Sequence, residues 1–259
     1  MSDTTTPLQL DKYYHIFNRC NASEWVFPQT QNYTYFLSQY KKYMLRYWKT
    51  YAYALLPNHF HLLVQIRSES ELLAAALEDF DKISKSWFNN QKLQLVNEAA
   101  TDLQNLPDFV NLTQHHPDQF SKHFTSGTAQ ESYRSLLQWI ASERFRRFLL
   151  SYAKSIRSQE GNHGSLFQKI FRRKPVEGLD NLRQVTLYLH RNPIHHGYAI
   201  DMGDESWSSY RSFLSRQSTS LERQEVLGWF DGVIPFQQTH EQYVDEWRHT
   251  KQWLIEIDQ

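Results

Sequence analysis

Hydrophobic and polar positions along this 259-residue chain change period several times, and each change marks an element. Tyr13 to Arg19 (YYHIFNR) is short, aromatic and β-prone. From about Gln31 to Trp48 the residues Tyr33, Phe36, Leu37, Tyr40, Met44 and Tyr47 recur at three- and four-residue spacings, which predicts an amphipathic helix. Two β-prone runs follow, Tyr51 to Leu56 and His59 to Ile66, separated only by Pro57-Asn58, and they read as strands joined by a tight turn. The opening third is therefore expected to run β-α-β-β.

From about Glu71 to Glu131 the pattern changes. A helical opening (LLAAALEDF, then ISKSWF) gives way to a polar stretch rich in Asn, Gln, His and Pro, expected to be an insertion with helices and a loop around His115 to Thr128. A strong helix is expected from about Ser132 to Arg157, with Leu136, Leu137, Ile140, Phe145, Phe148, Leu149 and Tyr152 as its apolar stripe, broken at Gly161-Asn162-His163-Gly164. Leu166 to Val176 is β-prone and rich in cations. A further helix spans about Leu179 to Asn192, where Pro193 is expected to stop it by disfavouring helical geometry at the preceding residue. The remainder, with Trp207, Trp229, Trp247 and Trp253, reads as helical and packed by aromatics.

Composition narrows the class. Lys and Arg (28) balance Asp and Glu (28), so a uniformly basic nucleic-acid binder is excluded and any such contact must come from a local patch. Cys20 is the single cysteine, which excludes an intrachain disulfide and leads us to expect a reducing, cytoplasmic setting. Met1 to Asp11 is polar and Thr-rich, unlike a signal peptide, and no apolar run exceeds the length of Tyr51 to Leu56, far too short to span a bilayer, so no membrane association is expected.

Three groups of residues could carry chemistry. In the strand His59-Phe60-His61 alternate side chains share a face, so His59 and His61 point together while Phe60, Leu62 and Val64 face an apolar layer. Two neutral imidazoles on a rigid strand suit a divalent metal, although two half-exposed sheet histidines would give the same pattern. Tyr188 and Asn192, four apart, lie on one face of a helix, where an amide oxygen could serve as a third ligand beside the tyrosine hydroxyl. Alone, that pair is equally a buried tyrosine and an Asn near a helix end. Between Glu143 and Lys174 there are nine Lys and Arg against two Glu, interleaved with Phe145, Phe148, Tyr152, Phe167 and Phe171. Such a stretch suits single-stranded nucleic acid, though a solvated helix face is the plainer reading.

The segments YYHIFNRCN, LLPNHFHLLVQI, GSLFQKIFRRKPV, LYLHRNPIHHGY and WSSYRSF, in this order, resemble the REP-associated tyrosine transposases, the single-tyrosine branch of the HUH endonuclease superfamily. The similarity covers most of Tyr13 to Ile66 and of Ser142 to Leu214. It implies an α+β fold, a ferredoxin-like antiparallel sheet with helices, carrying here a helical insertion and a helical C-terminal appendage. The expected division is 1–70 and 132–200 as the two parts of the HUH catalytic domain, 71–131 as the insertion and 201–259 as the appendage.

The resemblance also implies residue roles. His59, His61 and Asn192 would ligate a divalent metal, Mg²⁺ or Mn²⁺. Tyr188 would be the nucleophile, and Asn18, Arg19, Arg172, Arg173 and Lys174 would contact DNA. The expected activity is cleavage and strand transfer on single-stranded DNA near hairpin-forming repeats through a 5′-phosphotyrosine. The weighed alternatives are a DNA-binding derivative that does not cut, and a zinc hydrolase built on His59 and His61. The sequence departs from the family pattern in the insertion, in His195-His196-Gly197 after Asn-Pro, and in Cys20, where glycine is common. Monomer and homodimer are left open.

Overall fold

The computed structural model describes residues 8–21, 25–80, 129–168, 170–202 and 207–247. Strand β1 (Tyr13–Arg19) leads to helix α1 (Thr30–Met44), then to β2 (Trp48–Leu56) and β3 (His59–Ile66). Helix α2 (Glu69–Phe80) and the long α3 (Ala129–Glu160) flank the undescribed part of the expected insertion. Strand β4 (Arg172–Val176) and helix α4 (Leu179–His195) follow, and then α5 (Tyr210–Leu214), α6 (Arg223–Trp229) and α7 (Val233–Trp247).

The four strands form one antiparallel sheet in the order β2-β3-β1-β4. With α1 and α3 as the two crossover helices this is the ferredoxin-like β-α-β-β-α-β arrangement, so the α+β fold expected from the sequence is the one observed. β1 and β3 are buried on both faces because the sheet lies between two helical layers. One face, with Tyr14, Ile16, Phe60, Leu62, Val64 and Trp48, packs against α1 and α3 through Phe36, Phe145, Phe148 and Tyr152. Much of the chain's high aromatic content sits in this core: Phe36 meets Phe148 at 4.9 Å and Tyr152 at 5.1 Å, both edge to face, the geometry that ring quadrupoles favour.

The opposite face carries a second core of Leu63, Val176, Leu182, Leu187, Leu189, Phe213, Val226 and Phe236, covered by α4 to α7. A bulge between Thr50 and Ala52 turns Tyr51 and Ala52 both toward this layer. The C-terminal segment also pairs with the sheet. Leu55 N–H donates to Trp207 O (2.8 Å), Ser209 N–H to Tyr53 O (3.0 Å) and Glu222 N–H to Thr50 O (2.9 Å), along the outer edge of β2. At the other end of the sheet, edge strand β4 contains Pro175.

Three boundaries differ from the sequence expectation. The first helix ends at Met44, not Trp48, because the chain folds back and Trp48 opens β2 with its ring 4.6 Å from that of Phe145. The strand expected over 166–176 begins only at Arg172. Before it, the side-chain amides of Asn21 and Asn18 take the carbonyls of Ser165, Phe167 and Gln168, leaving a single bridge between Cys20 and Phe167. Finally, Pro193 does not stop α4, which runs on to His195. Proline in the last turn forfeits one hydrogen bond of its own, and the Pro193 carbonyl is satisfied by the N–H groups of Tyr198 (2.8 Å) and Ala199 (3.2 Å). Gly197, at φ 73°, makes the actual stop. Among the described residues no helix is long and apolar enough to cross a membrane. The expected loop at 115–128, Lys169 and Trp253 lie outside the described residues.

Candidate functional site

On β3, alternation sends Phe60 and Leu62 into the first core and His59 and His61 to the opposite face, as the sequence pattern requires. Register places Phe17 and Arg19 of β1 beside His61 and His59, and Ala54 of β2 on the other flank of His61. On α4 and its C-terminal cap, Tyr188, Asn192 and His196 follow one another at four-residue intervals and so form one stripe, with His196 N–H still donating to Asn192 O.

Ring contacts anchor both ends of the stripe. Tyr188 meets His61 edge to face at 5.6 Å and His15 at 5.9 Å. His196 meets His59 at 4.9 Å. Asn192 stands between Tyr188 and His196 in the stripe. Its side chain is wholly buried, and neither Oδ1 nor Nδ2 has a hydrogen-bond partner in the protein. The Nε2 of His61 is likewise buried without a partner.

The other ring nitrogen of each histidine is engaged. His59 Nδ1–H donates to Asn58 Oδ1 at 2.6 Å, which leaves His59 Nε2 as an acceptor atom. His61 Nδ1 lies 2.9 Å from Nε2 of His15 on β1. Burial holds His61 well below the usual imidazole range, and neighbouring His59, His15 and His196 push the same way. Burial, with Lys174 beside it, lowers His15 to about 3. Both imidazoles are therefore neutral, the form in which histidine ligates metals. Among the described residues no three His, Cys, Asp or Glu side chains come together as a metal-holding group. The groups on this face that could hold a metal are His59, His61 and the unpartnered amide of Asn192.

A cleft of about 270 Å³ opens over this region, lined by Asn18, Arg19, Asn58, His59, His61, Arg172, His196 and Tyr198 among others. Arg19 is exposed and Arg172 half-buried. Tyr188 is only 3% exposed and does not line the cleft, and neither does Asn192. The three cations of β4 part company. Arg172 and Lys174 pair across from Phe17 and His15 on the histidine face, whereas Arg173 pairs with Ile16 and turns to the other face. There its guanidinium lies 4.7 Å over the Phe171 ring and reaches Ser142 of α3 at 3.4 Å. Asn18 is buried and holds the main chain, accepting from Arg19 N–H and donating to Gln168 O.

Helix α4 is pinned from behind by a buried chain of polar groups. His240 Nδ1–H donates to Phe236 O (2.7 Å), so its Nε2 accepts from His190 Nδ1–H (2.8 Å). His190 Nε2 then accepts from Ser209 Oγ–H (2.7 Å), and Ser209 Oγ accepts from Tyr53 N–H (2.9 Å). Burial drives His190 well below its ordinary pKa and His240 to about 4. The neighbouring Arg191 is buried with its guanidinium 5.1 Å over the Tyr243 ring, and burial lowers its pKa to about 10.

Sequence reasoning missed His15, Asn58, His196 and Tyr198 as parts of the site. His15 shares a strand face with Phe17 and Arg19, but nothing within β1 says which residue of β3 lies opposite. His196 falls four residues beyond Asn192 and would have joined the stripe had the helix been carried past Pro193.

Neither the family models nor the curated proteins compared with this chain give a match. Among solved structures, that of a REP-associated tyrosine transposase bound to a REP hairpin is similar over 83% of this chain and 87% of that one, with a TM-score of 0.44 and 14% sequence identity.

Proposed function

We propose that this protein is a metal-dependent single-stranded DNA endonuclease and strand transferase that uses Tyr188 as its nucleophile. The observation that carries the reading is Asn192, a fully buried amide with both polar atoms unpartnered, one turn from Tyr188 on the stripe that touches His61 and His59. Leaving such a group unpaired costs about 1–3 kcal/mol, and a ligand that completes it explains its retention. His59, His61 and Asn192 together would hold Mg²⁺ or, better suited to two imidazoles, Mn²⁺. Bound there, the ion would stabilise charge developing on the phosphate oxygens.

The chain's own groups account for the rest. Arg19 and Arg172 offer charge to backbone phosphates in the cleft. Tyr198, 48% exposed at the cleft, offers a ring face to a base. The Tyr188 Oη–P bond forms as the P–O3′ bond breaks. The phenolic proton is released and the departing 3′-oxygen takes one up, giving a 5′-phosphotyrosine and a free 3′-hydroxyl. Because the phosphodiester energy is retained in the intermediate, a second 3′-hydroxyl can reverse the step and join a new strand.

A second reading is favoured by one observation. Tyr188 is 3% exposed and outside the cleft lining, as suits a DNA-binding protein that does not cut. Covalent trapping separates the two. The chain is incubated with labelled single-stranded hairpin DNA and Mn²⁺ or Mg²⁺, then run on a denaturing gel. An adduct that needs metal and vanishes in Tyr188→Phe and in His59→Ala/His61→Ala is the expected result. Hairpin binding without an adduct supports the second reading, and cleavage surviving in Tyr188→Phe overturns the nucleophile.

A further inference from the structure

We propose that His15 is a positioning residue that holds His61 in the tautomer protonated on Nδ1, so that an unprotonated Nε2 is presented to the Tyr188–Asn192 stripe of α4. The proposal deepens the site just described and rests on the reading of His61 as a metal ligand.

The contact between His15 Nε2 and His61 Nδ1, 2.9 Å, contains one proton, and both side chains are fully buried. If that proton belongs to His61, then His61 Nε2 carries a lone pair. If it belongs to His15, His61 must carry its own proton on Nε2, an atom that is buried without any partner in the protein. A buried N–H with no acceptor is rarer in folded proteins than an acceptor left empty, so the first arrangement is favoured before any ligand arrives. It is also the arrangement that a ligand histidine requires, in which the non-ligating nitrogen donates to an outer group that fixes ring orientation.

Two further observations agree. The partner histidine is handled the same way, since His59 Nδ1–H is taken up by Asn58 Oδ1 at 2.6 Å. Each imidazole thus has its Nδ1 proton held by a neighbour, one by an amide and the other by a ring. The His15 ring lies edge to edge with His61, centroids 5.1 Å apart and planes within 25°, as an in-plane hydrogen bond requires, and it is itself held by stacking on Phe17 at 4.9 Å and by an edge contact with Tyr188 at 5.9 Å. Its place is set by strand alternation, two residues before Phe17, which pairs with His61.

The test uses the full chain without DNA. Long-range ¹⁵N–¹H spectra of the metal-free protein report which nitrogen of His61 carries the proton, and Mn²⁺ affinity is measured by electron paramagnetic resonance. Expected are protonation on Nδ1 in the wild type and a Mn²⁺ affinity about 10–100-fold weaker in His15→Phe, which keeps a ring but loses the acceptor. His15→Gln restores an acceptor oxygen and is expected to recover most of the affinity. A wild-type His61 protonated on Nε2, or unchanged affinity in His15→Phe, overturns the role of His15. A wild type that binds no Mn²⁺ overturns the metal reading, while the spectrum still judges His15 by itself. Should His15→Phe fail to fold, the wild-type spectrum and His15→Gln remain decisive.

Discussion

The ring of Tyr188 stands edge-on to the ring of His61, centroids 5.6 Å apart and planes at 84°. Phenylalanine reproduces that contact without the hydroxyl. Tyr188→Phe is therefore expected to lose at most about 1.5 kcal/mol of stability, the worth of one hydrogen bond, while adduct formation falls to background. Thermal melts and the trapping gel, run on one preparation, check both halves. A large drop in melting temperature would mean that the hydroxyl serves the fold.

Asn192 makes an opposite demand on stability and function. Asn192→Leu replaces an unpartnered buried amide with an apolar group of similar size. The metal-free protein is expected to gain about 1–3 kcal/mol. For a chain of this size each kcal/mol corresponds to roughly 2–4 °C in melting temperature. Mn²⁺ binding is expected to weaken in the same variant. Destabilisation by Asn192→Leu would show that the amide has a structural partner after all.

Arg172 and Arg173 are neighbours in sequence and opposites in space. Arg172→Ala is expected to weaken binding of single-stranded DNA and to shallow its salt dependence by about 0.7 in the log–log slope, one phosphate contact. Arg173→Ala removes the contacts to Phe171 and Ser142 and is expected to lower stability while leaving the slope unchanged. Equal salt slopes for the two variants would contradict the strand register.

The pair behind α4 predicts acid sensitivity. His190 and His240 are neutral when folded, with pKa values lowered by burial, but titrate near the ordinary ~6.5 when unfolded. Between that value and about 4 the unfolded chain binds more protons, so stability is full above pH ~6.5 and is lost as pH falls. Each histidine contributes up to about 1.4 kcal/mol per pH unit in that window. Denaturant melts from pH 7.5 to 5 should show the decline, and His240→Gln should flatten it by about one proton. A flat wild-type profile would refute this account.

Much of the fold and part of the site are legible in the sequence, and the division follows from range. Period-2 alternation in β3 separates His59 and His61 from Phe60 and Leu62, and four-residue spacing joins Tyr188 to Asn192, because both are local rules. The contribution of His15 is not local: it depends on a register between β1 and β3 that spans forty-six residues. The split of Arg172 from Arg173 follows from the same alternation rule applied to the β-prone segment Leu166 to Val176, where the two were grouped by charge instead of by face. His196 was hidden by taking Pro193 as the stop, whereas the helix carries on past it to His195.

The two ends of the sheet carry a consequence for how the molecule behaves in a crowd. Residues 207–209 and 222 take up main-chain groups along the outside of β2, and Pro175 removes an N–H from short β4. An unprotected edge strand is a template on which a second chain can polymerise. Here one edge is occupied by the protein's own tail and the other is blunted by an imino acid. Cutting the chain before Trp207 would thus do more than remove helices: it would convert a self-limiting sheet into one open to growth.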